Sequence, residues 1–546
     1  MEISRQPHHI QDMPEGEVLK MHFEGDDARL AQQGYKPELK RQLSFWPTFS
    51  LAICLNGAWQ GLSSALGIGI VQGGPCAVIY GFIFTFAIYM SLSACVSELV
   101  SSMPTAAGPY YWVFRAAPPR WARVLSWYTG YINLAAQIFG GSSVTLAVSQ
   151  QIFALIEIIN PNIPGKRWQT FLIYEGLLLS TLSVTIFGNK LLKHLTLFSG
   201  VMVALGFFII TIVVPSTAPS HRSSHFVWAE WFNSTGWISN GIVFFIGLPN
   251  AFYGFGFLDT VVHLSEEIEE PERSIPRVIF GQYFFNLVTG LCFLLAMFYS
   301  IQDIDGILEP AIGFSFFELF VQAVPKAGAA ALGLITILAC INAVYEIQVV
   351  CSRLIWSFAR DGAFPWTKFF AKVDSRFQVP VNAVLLVLVI NLLLGLIFQF
   401  AEEAFAAMVG SSLAMHNLMI AIVLGTVALT GRRRIVPGPW HMRGAWGLGF
   451  YVLSTLLMMF TIIIFCLPYS MPAEVETFNW SSVLIGGVLF LITVLWAAWG
   501  YRNFEGPPGA FEGTVVEAIV REPSVGQKGT DTGAEKSNAH QTGGQV

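Results

Sequence analysis

The sequence predicts an all-α integral membrane protein with twelve transmembrane helices, and two observations support this fold class. Of the 546 residues, 54% are hydrophobic and only 12% are charged, which is about half the charged fraction of a typical soluble domain. Apolar runs of about 20 residues, the length that crosses the hydrocarbon core of a bilayer, recur twelve times along the chain. Since no long polar loop separates these runs, we expect no soluble catalytic domain between them.

The twelve predicted spans follow one another closely along the chain. They cover residues 45–70, 75–100, 124–156, 169–188, 192–214, 239–263, 278–301, 328–350, 381–400, 404–429, 446–468 and 480–500. The third run exceeds the length that a bilayer requires, so we expect it to be tilted or to extend beyond the membrane. Two shorter apolar pieces, 107–118 and 311–322, are predicted to be interfacial or re-entrant helices.

The two ends of the chain are polar and flank the predicted membrane domain, 45–500. Residues 1–44 and 501–546 have too few large apolar residues to bury a core, so we predict a disordered arm and a disordered tail. Lysines in these ends are candidate attachment sites for ubiquitin and the endocytic machinery, although such lysines usually serve only solubility. They are Lys20, Lys36, Lys40, Lys528 and Lys536.

The distribution of basic residues predicts the orientation in the membrane. If both termini are cytoplasmic, only 4 of the 30 lysines and arginines lie outside, which agrees with the excess of positive charge in cytoplasmic loops. These four are Lys166, Arg167, Arg222 and Lys326. Two sequons, at Asn233 and Asn479, then fall in exterior loops, and we predict both as glycosylation sites.

Spans one and six both contain residues that interrupt helices. Span six carries glycines, Pro249 and an acid within 246–259, and span one carries glycines and small polar residues within 56–69. A broken helix is tolerated in lipid only where it is buried in protein or lines a cavity. Paired interruptions indicate a transporter built from inverted repeats, here about 45–214 and 239–429, with 446–500 as extra helices. The alternative is that these glycines only let membrane helices pack closely.

The predicted solute contacts lie in the two interrupted spans. Backbone amides at a half-helix end from Gly61 to Ser64 would receive a carboxylate, and aromatic faces in span six would cover an amine. The predicted substrate-binding residues are Trp59, Gly61, Ser63 and Ser64 in span one and Phe252, Tyr253, Gly254, Phe255 and Gly256 in span six. Spans three, eight and ten are expected to complete the cavity.

Acidic residues inside membrane spans are costly and usually face the interior of the bundle. Asp259 and Glu346 are therefore candidates for ion coupling or cation contact, although Glu346 could equally pair with a neighbouring helix. We interpret His263 and His416 as hydrogen-bonded structural residues, the commoner role of a lone histidine.

Charged residues that follow spans six and eight could form a cytoplasmic gate. Glu266 or Glu267 would face Arg353 or Arg360. The alternative is that these four side chains are solvated loop charges.

The sequence carries no sign of a cofactor. It has no phosphate-binding loop and no cluster of metal ligands, and its seven cysteines are scattered without a C-x-x-C pair. We therefore expect no ATP site, no metal site and no enzyme activity. The net charge of −5 does not favour a nucleic-acid partner.

Three motifs in order resemble the amino acid–polyamine–organocation superfamily. They are Phe257–Glu267 with Pro271 and Ser274–Arg277, then Ser97–Trp112 after span two, and Ser352–Pro365 after span eight. Within that superfamily the chain is most similar to the fungal amino acid/choline transporters, which include choline and γ-aminobutyrate (GABA) permeases. The resemblance covers about residues 45–500.

The resemblance implies a LeuT-like core of five plus five helices with discontinuous helices 1 and 6. It implies a secondary active importer of a small nitrogen-containing solute, either a choline-like quaternary amine or an amino acid such as GABA. It also implies proton coupling, alternating access and a plasma-membrane location, so the expected partners are the solute and the lipid bilayer. A broader amino acid permease, or a nutrient sensor that does not transport, are the alternatives on the same scaffold.

Overall fold

A computed structural model describes residues 25–508, except 164, 189–191, 401–403 and 474–477. Within these residues, eleven helical segments are long and apolar enough to cross a membrane, from Gly74–Ser102 to Ser481–Asn503. They coincide with the second to twelfth predicted spans. The protein is therefore an all-α membrane protein with eleven candidate spans among its described residues.

The helices are numbered here in chain order. They are α1 (Gly25–Gln32), α2 (Phe45–Leu55), α3 (Ala58–Ser64), α4 (Leu66–Val71), α5 (Gly74–Ser102), α6 (Pro109–Ala116), α7 (Pro119–Ile159), α8 (Arg167–Phe187), α9 (Leu192–Thr217), α10 (Ser224–Trp228), α11 (Asn240–Ile246), α12 (Leu248–Phe255), α13 (Pro271–Ser300), α14 (Asp305–Leu308), α15 (Ser315–Ala323), α16 (Lys326–Arg360), α17 (Thr367–Phe370), α18 (Val381–Phe400), α19 (Ala404–Leu429), α20 (Gly444–Phe465), α21 (Ser481–Leu495) and α22 (Tyr501–Asn503). Two short strands, β1 (Gln72–Gly73) and β2 (Phe232–Asn233), pair antiparallel, with Gln72 opposite Asn233. The two short helices predicted at 107–118 and 311–322 correspond to α6 and α15.

The first predicted span is divided into three pieces, α2, α3 and α4. The longest of them has 11 residues, which is too short to cross a hydrocarbon core alone. The first interruption falls at Asn56 and Gly57, where the helix stops and restarts.

The sixth predicted span is interrupted after Phe255. Pro249 lies in the first turn of α12, where its missing N–H would lack a helical partner in any case. Gly256 ends α12 with a φ of 60°, a conformation that favours glycine. The chain then runs through Asp259 into a 3₁₀ turn, Thr260–Leu264. The main break therefore follows the aromatic residues instead of containing them.

The two interruptions are joined by the side chain of Asn56. Its Nδ2 donates to the Phe257 carbonyl at 3.2 Å, and its Oδ1 accepts from the Phe257 N–H at 3.1 Å. Asn286 of α13 donates to the Asn56 carbonyl and accepts from the Ala58 N–H. These amides satisfy backbone groups that the breaks leave without helical partners, which is required inside a membrane protein.

The polar ends of the chain are described only in part. α1 belongs to a unit of the chain separate from residues 37–508, and it falls in the arm predicted as disordered. Its first turn holds Asp26 and Asp27, and carboxylates at this end favour a helix. At the other end, Phe504 is buried and its carbonyl accepts from Arg123 Nε at 2.8 Å, so the predicted tail begins with an ordered segment. Lys20, Lys528 and Lys536 lie outside the described residues.

Candidate functional site

A cavity lies where the interrupted helices cross. α7 and α16 each contribute residues spaced three or four apart, because that spacing places side chains on one face of a helix. The lining residues are Cys54–Gly57, Gln60, Gly61 and Ser64 from the first interrupted span, Tyr253, Gly256, Phe257 and Thr260 from the second, Gly140, Val144, Ala147 and Val148 from α7, and Cys340, Ala343 and Ile347 from α16.

Four of the predicted substrate-binding residues line this cavity: Gly61, Ser64, Tyr253 and Gly256. Tyr253 places its hydroxyl 3.0 Å from Ser143 Oγ. A Cβ at Gly61 would lie 2.6 Å from Gly254 Cα, so the two interrupted helices touch through glycine backbones. Gly254 serves this contact and does not line the cavity.

The other predicted contacts point away from the cavity. Phe252 packs against Phe465, with ring centroids 5.0 Å apart, and Phe255 stacks on Phe82 at 4.7 Å. Successive residues of a helix are rotated by about 100°, so only Tyr253 of this aromatic set faces inward. In α3, Trp59 packs against Phe293.

The half-helix end of span one also differs from the sequence prediction. The interruption at Gly57 starts α3 at Ala58, three residues before Gly61. The Gly61 N–H donates to the Gly57 carbonyl at 3.0 Å, so this amide is used within the helix. Ser63 and Ser64 donate their hydroxyls to the Gln60 carbonyl. Only Ser64 of these two lines the cavity.

Several lining residues were absent from the predicted site. Gln60 donates from Nε2 to the Ala339 carbonyl at 2.9 Å, whereas its buried Oε1 has no hydrogen-bond partner among the described residues. Phe257 and Thr260 follow the break in span six and line the cavity together with Asn56. For Asn56, Gln60 and Thr260 the available signal was a polar residue within a membrane span, whereas Phe257 could be recognised only as one of several aromatic residues near the break.

The cavity wall is neutral among the described residues, since none of the lining side chains there is charged. Its walls combine the aromatic rings of Tyr253 and Phe257 with the amides of Asn56 and Gln60. The C-terminal end of α2 reaches it at Leu55, and carbonyl groups at such an end attract cations. These features suit a small solute that carries an amine.

Asp259 lies beside the cavity and is completely buried. Its Oδ2 is 2.9 Å from His263 Nε2, and its Oδ1 is 2.9 Å from His416 Nε2. Asn133 and Gln137 of α7 donate to the same carboxylate at 2.7 and 3.3 Å. Both histidines are hydrogen-bonded, as the sequence suggested, but their shared partner was not foreseen. α19 thus contacts the site through His416, and none of its described side chains lines the cavity.

Glu346 occupies a separate position on α16. It is 5% exposed, and neither carboxylate oxygen has a hydrogen-bond partner in the described part of the chain. Cys54, which lines the cavity, and Ser199 are its polar neighbours. The structure therefore places Glu346 behind the cavity wall.

The four charged residues named as gate candidates form two ion pairs. Arg353 Nε lies 2.6 Å from Glu267 Oε1. Arg360 binds both oxygens of Glu266, at 2.8 and 3.0 Å, and its guanidinium lies 4.4 Å from the Trp356 ring centroid. Such two-point contacts fix geometry as well as charge. These residues are therefore not solvated loop charges.

A short extended segment covers the Glu267 side of these pairs. The N–H groups of Gln42 and Leu43 donate to the Glu267 carbonyl at 2.9 and 3.0 Å, and the Glu269 N–H donates to the Leu43 carbonyl. Arg41 adds a bond to the Ile268 carbonyl at 2.7 Å. The segment before α2 is thus tied to the loop that holds the acids.

The two predicted glycosylation sites differ in exposure. Asn233 is exposed, and its Nδ2 donates to the Trp237 carbonyl. Asn479 is 1% exposed, and its Nδ2 donates to the carbonyls of Phe465 and Leu467.

Comparison with known proteins agrees with the three sequence motifs. A profile of the family described as amino acid permease matches residues 43–490, which is most of the chain. The chain belongs to the amino acid permease family. The resemblance to the amino acid–polyamine–organocation superfamily is thereby confirmed, and the protein is a transmembrane transporter and not an enzyme.

Individual permeases show the same similarity along most of their length. The choline transporter of Saccharomyces cerevisiae is 30% identical over 501 residues, which cover 91% of this chain and 88% of that protein. Amino-acid permease BAT1 of Arabidopsis thaliana is 28% identical, covering 89% and 96%. The GABA-specific permease of S. cerevisiae is 25% identical, covering 88% and 86%.

Proposed function

We propose that this permease imports a small nitrogen-containing solute, a choline-like quaternary amine or an amino acid such as GABA, by proton-coupled alternating access. The observation that carries the proposal is the neutral cavity at the crossing of the two interrupted spans. Tyr253 and Phe257 offer aromatic faces there, and an aromatic face attracts a quaternary ammonium group.

The quaternary amine is the favoured solute. In the part of the chain that the structure describes, no lysine or arginine lines the cavity to pair with a carboxylate, whereas the end of α2 and the two rings suit a cation. The similarity to a choline transporter supports the same choice. The similarity to GABA-specific and amino-acid permeases keeps an amino acid as the second candidate.

The proposed architecture has twelve spans and a LeuT-like core of two five-helix inverted repeats. The interrupted first span, added to the eleven candidate spans, gives the twelfth. Interruptions in the first and sixth spans stand at corresponding places in the two repeats, as this architecture requires.

In the proposed orientation both termini lie in the cytoplasm and the protein resides in the plasma membrane. The predominance of lysine and arginine in the loops assigned to the inside supports it. The two ion pairs then form the inner gate, with Glu266 bound to Arg360 and Glu267 bound to Arg353. Because both pairs are formed here, this arrangement has the inner gate closed.

A transport assay with purified protein in liposomes tests the proposal. Uptake of radiolabelled choline, GABA, and neutral and basic amino acids is compared with and without an inward proton gradient, and with a protonophore. We expect saturable choline uptake that the protonophore abolishes. Uptake that follows sodium and ignores the protonophore would overturn proton coupling. Solute binding without uptake would instead favour a sensor, and uptake of many amino acids without choline would favour a broader permease.

A further inference from the structure

The buried acid beside the cavity belongs to a cluster of three ionisable residues. We refer to Asp259, His263 and His416 as the Asp–His cluster. All three are at most 2% exposed, and each histidine places Nε2 2.9 Å from a different oxygen of Asp259. They come from the stretch after the break in span six and from α19.

The contacts of His263 distinguish two protonation states of the cluster. Its Nδ1 lies 2.9 Å from the Ala106 carbonyl, which can only accept, and its Nε2 lies 2.9 Å from Asp259 Oδ2. A neutral imidazole has a single N–H and can donate to only one of these two acceptors. The contact between Nε2 and Oδ2 is therefore a hydrogen bond only when one additional proton lies between them. Without that proton, Nε2 can accept from Asn133 Nδ2, which lies 3.1 Å away.

Other groups around the cluster do not supply that proton. His416 in its neutral form donates from Nε2 to Oδ1, and Asn133 and Gln137 of α7 donate amide hydrogens. Two buried tyrosines, Tyr89 of α5 and Tyr283 of α13, are near enough to Asp259 to interact with its charge. Arg353 of α16 is bound by Glu267. Within the described ranges no lysine or arginine forms an ion pair with Asp259.

Ala106 connects the cluster to the ion pairs proposed as the inner gate. Its carbonyl accepts from His263, and its N–H lies 3.3 Å from Glu266 Oε1. Glu266 is in turn bound by Arg360 through two hydrogen bonds. One residue of the segment between α5 and α6 thus touches both the histidine and the gate.

The same cluster also contacts the wall of the cavity. The Phe257 ring packs edge to face on the His416 ring, with centroids 4.9 Å apart. Thr260, which lines the cavity, lies one residue after Asp259. A solute that moves Phe257 therefore also moves a residue bound to Asp259.

We propose that the Asp–His cluster is the proton-binding site of the transporter and that its proton keeps the inner gate closed. With the proton bound, His263 holds Asp259 and Ala106 together. When the proton passes to water, Nε2 of His263 loses its hydrogen bond to Asp259 and accepts from Asn133 Nδ2 instead. The imidazole then shifts away from Asp259, which displaces Ala106 at its Nδ1 and breaks the contact between Ala106 and Glu266.

This inference rests on the proposed proton-coupled import, but it makes a separate statement about the gate. Because binding and conformation are reciprocally linked, a state that binds the proton more weakly is favoured as pH rises. Raising the pH should therefore open the inner gate even when no solute is present.

Thiol labelling measures that opening without any transport. Cys340 lines the cavity and is buried, so a bulky maleimide added to protein in nanodiscs reaches it only when the cavity opens. Its labelling rate, read by peptide mass spectrometry, is compared from about pH 5.5 to about pH 8, the range in which histidines titrate. Rates are corrected for the thiolate fraction with Cys466, which is only partly buried.

We expect the corrected rate in the wild type to rise roughly tenfold across this range, because the gate opens as the Asp–His cluster loses its proton. In His263→Gln the rate should be high and independent of pH, whereas His221→Gln, at an exposed histidine bonded to the Pro215 carbonyl, should behave as the wild type. A flat profile in the wild type overturns the proposal, even if His263→Gln fails to fold. If uptake is proton-coupled but the labelling profile is flat, the role of the Asp–His cluster in closing the gate is rejected and the proposed transport function stands. If the profile is steep but uptake is not proton-coupled, the role in the gate stands and the proposed coupling is rejected.

Discussion

Arg353 Nε lies 2.6 Å from Glu267 Oε1, and neither side chain is more than 2% exposed. In the second pair, Arg360 retains 12% exposure and stacks on Trp356. The first pair is thus sealed inside the protein, whereas the second borders solvent. The two pairs should therefore respond differently to substitution.

Arg353→Ala should destabilise the closed form more than Arg360→Ala. Removing one partner of a fully buried pair leaves an uncompensated charge, which typically costs about 3–5 kcal/mol. Melting temperature and Cys340 labelling in nanodiscs would measure the loss. Arg376→Ala, at an exposed arginine over Phe377, is the control, and the double reversal Arg353→Glu with Glu267→Arg should restore part of the stability. Equal effects of Arg353→Ala and Arg376→Ala would refute a role for the buried pair.

Gly61→Ala should abolish solute binding and lower stability. The added Cβ would lie 2.6 Å from Gly254 Cα and 2.7 Å from the Tyr253 carbonyl, and backbone atoms cannot move aside without separating the two interrupted helices. Gly176→Ala is a matched control, since it also lies in a membrane helix but has nothing within 4 Å. That control should be neutral or stabilising by up to about 1 kcal/mol. Thermal shift with and without solute would distinguish the two variants, and a fully active Gly61→Ala would contradict this contact.

Tyr253→Leu should weaken uptake of a quaternary amine by raising KM. An aromatic face contributes about 1–2 kcal/mol to binding a cation, which corresponds to a roughly five- to thirtyfold change in affinity. Tyr253→Phe retains the ring and removes the hydroxyl that contacts Ser143, so its KM should change much less. Phe252→Leu is the control, because Phe252 packs on Tyr89 and Phe465 outside the cavity. If the Tyr253→Leu and Phe252→Leu variants raise KM equally, Tyr253 is not a solute contact.

Only one of the two sequons should carry a glycan. Oligosaccharide attachment requires an accessible Asn Nδ2, and that of Asn479 is buried between two carbonyls, whereas Asn233 is exposed. Expression in a glycosylating host should give a glycosidase-sensitive shift on gels that Asn233→Gln removes and Asn479→Gln does not. A shift that depends on Asn479 would mean that the sequon is modified before its loop folds. No shift at all would argue against the proposed exterior location of both loops.

Much of the membrane architecture could be predicted because every span must be long and apolar enough to cross the hydrocarbon core. Apolar length located eleven helices, and the clustered glycines located both interruptions to within a few residues. The motifs after spans six and eight also located the two acids and two arginines that form ion pairs. Each of these features follows from local sequence.

The site was harder to predict because it depends on rotation about helix axes and on contacts distant in sequence. Phe252, Tyr253 and Phe255 look equivalent in the sequence, yet only Tyr253 faces the cavity, because a one-residue step turns a helical side chain by about 100°. Asp259 gave no sign of His416, 157 residues away. Polar residues inside spans, such as Asn56 and Asn133, were the signal available for these contacts.

Asn56 has a consequence for how the permease can move. The Asn56 side-chain amide forms two hydrogen bonds with the Phe257 backbone, as paired residues of adjacent β-strands do, and so links the two halves of the chain. A displacement of either interrupted helix is therefore transmitted to the other through one amide. In the proposed alternating-access cycle, the two interrupted helices would thus move together and not as two independent hinges.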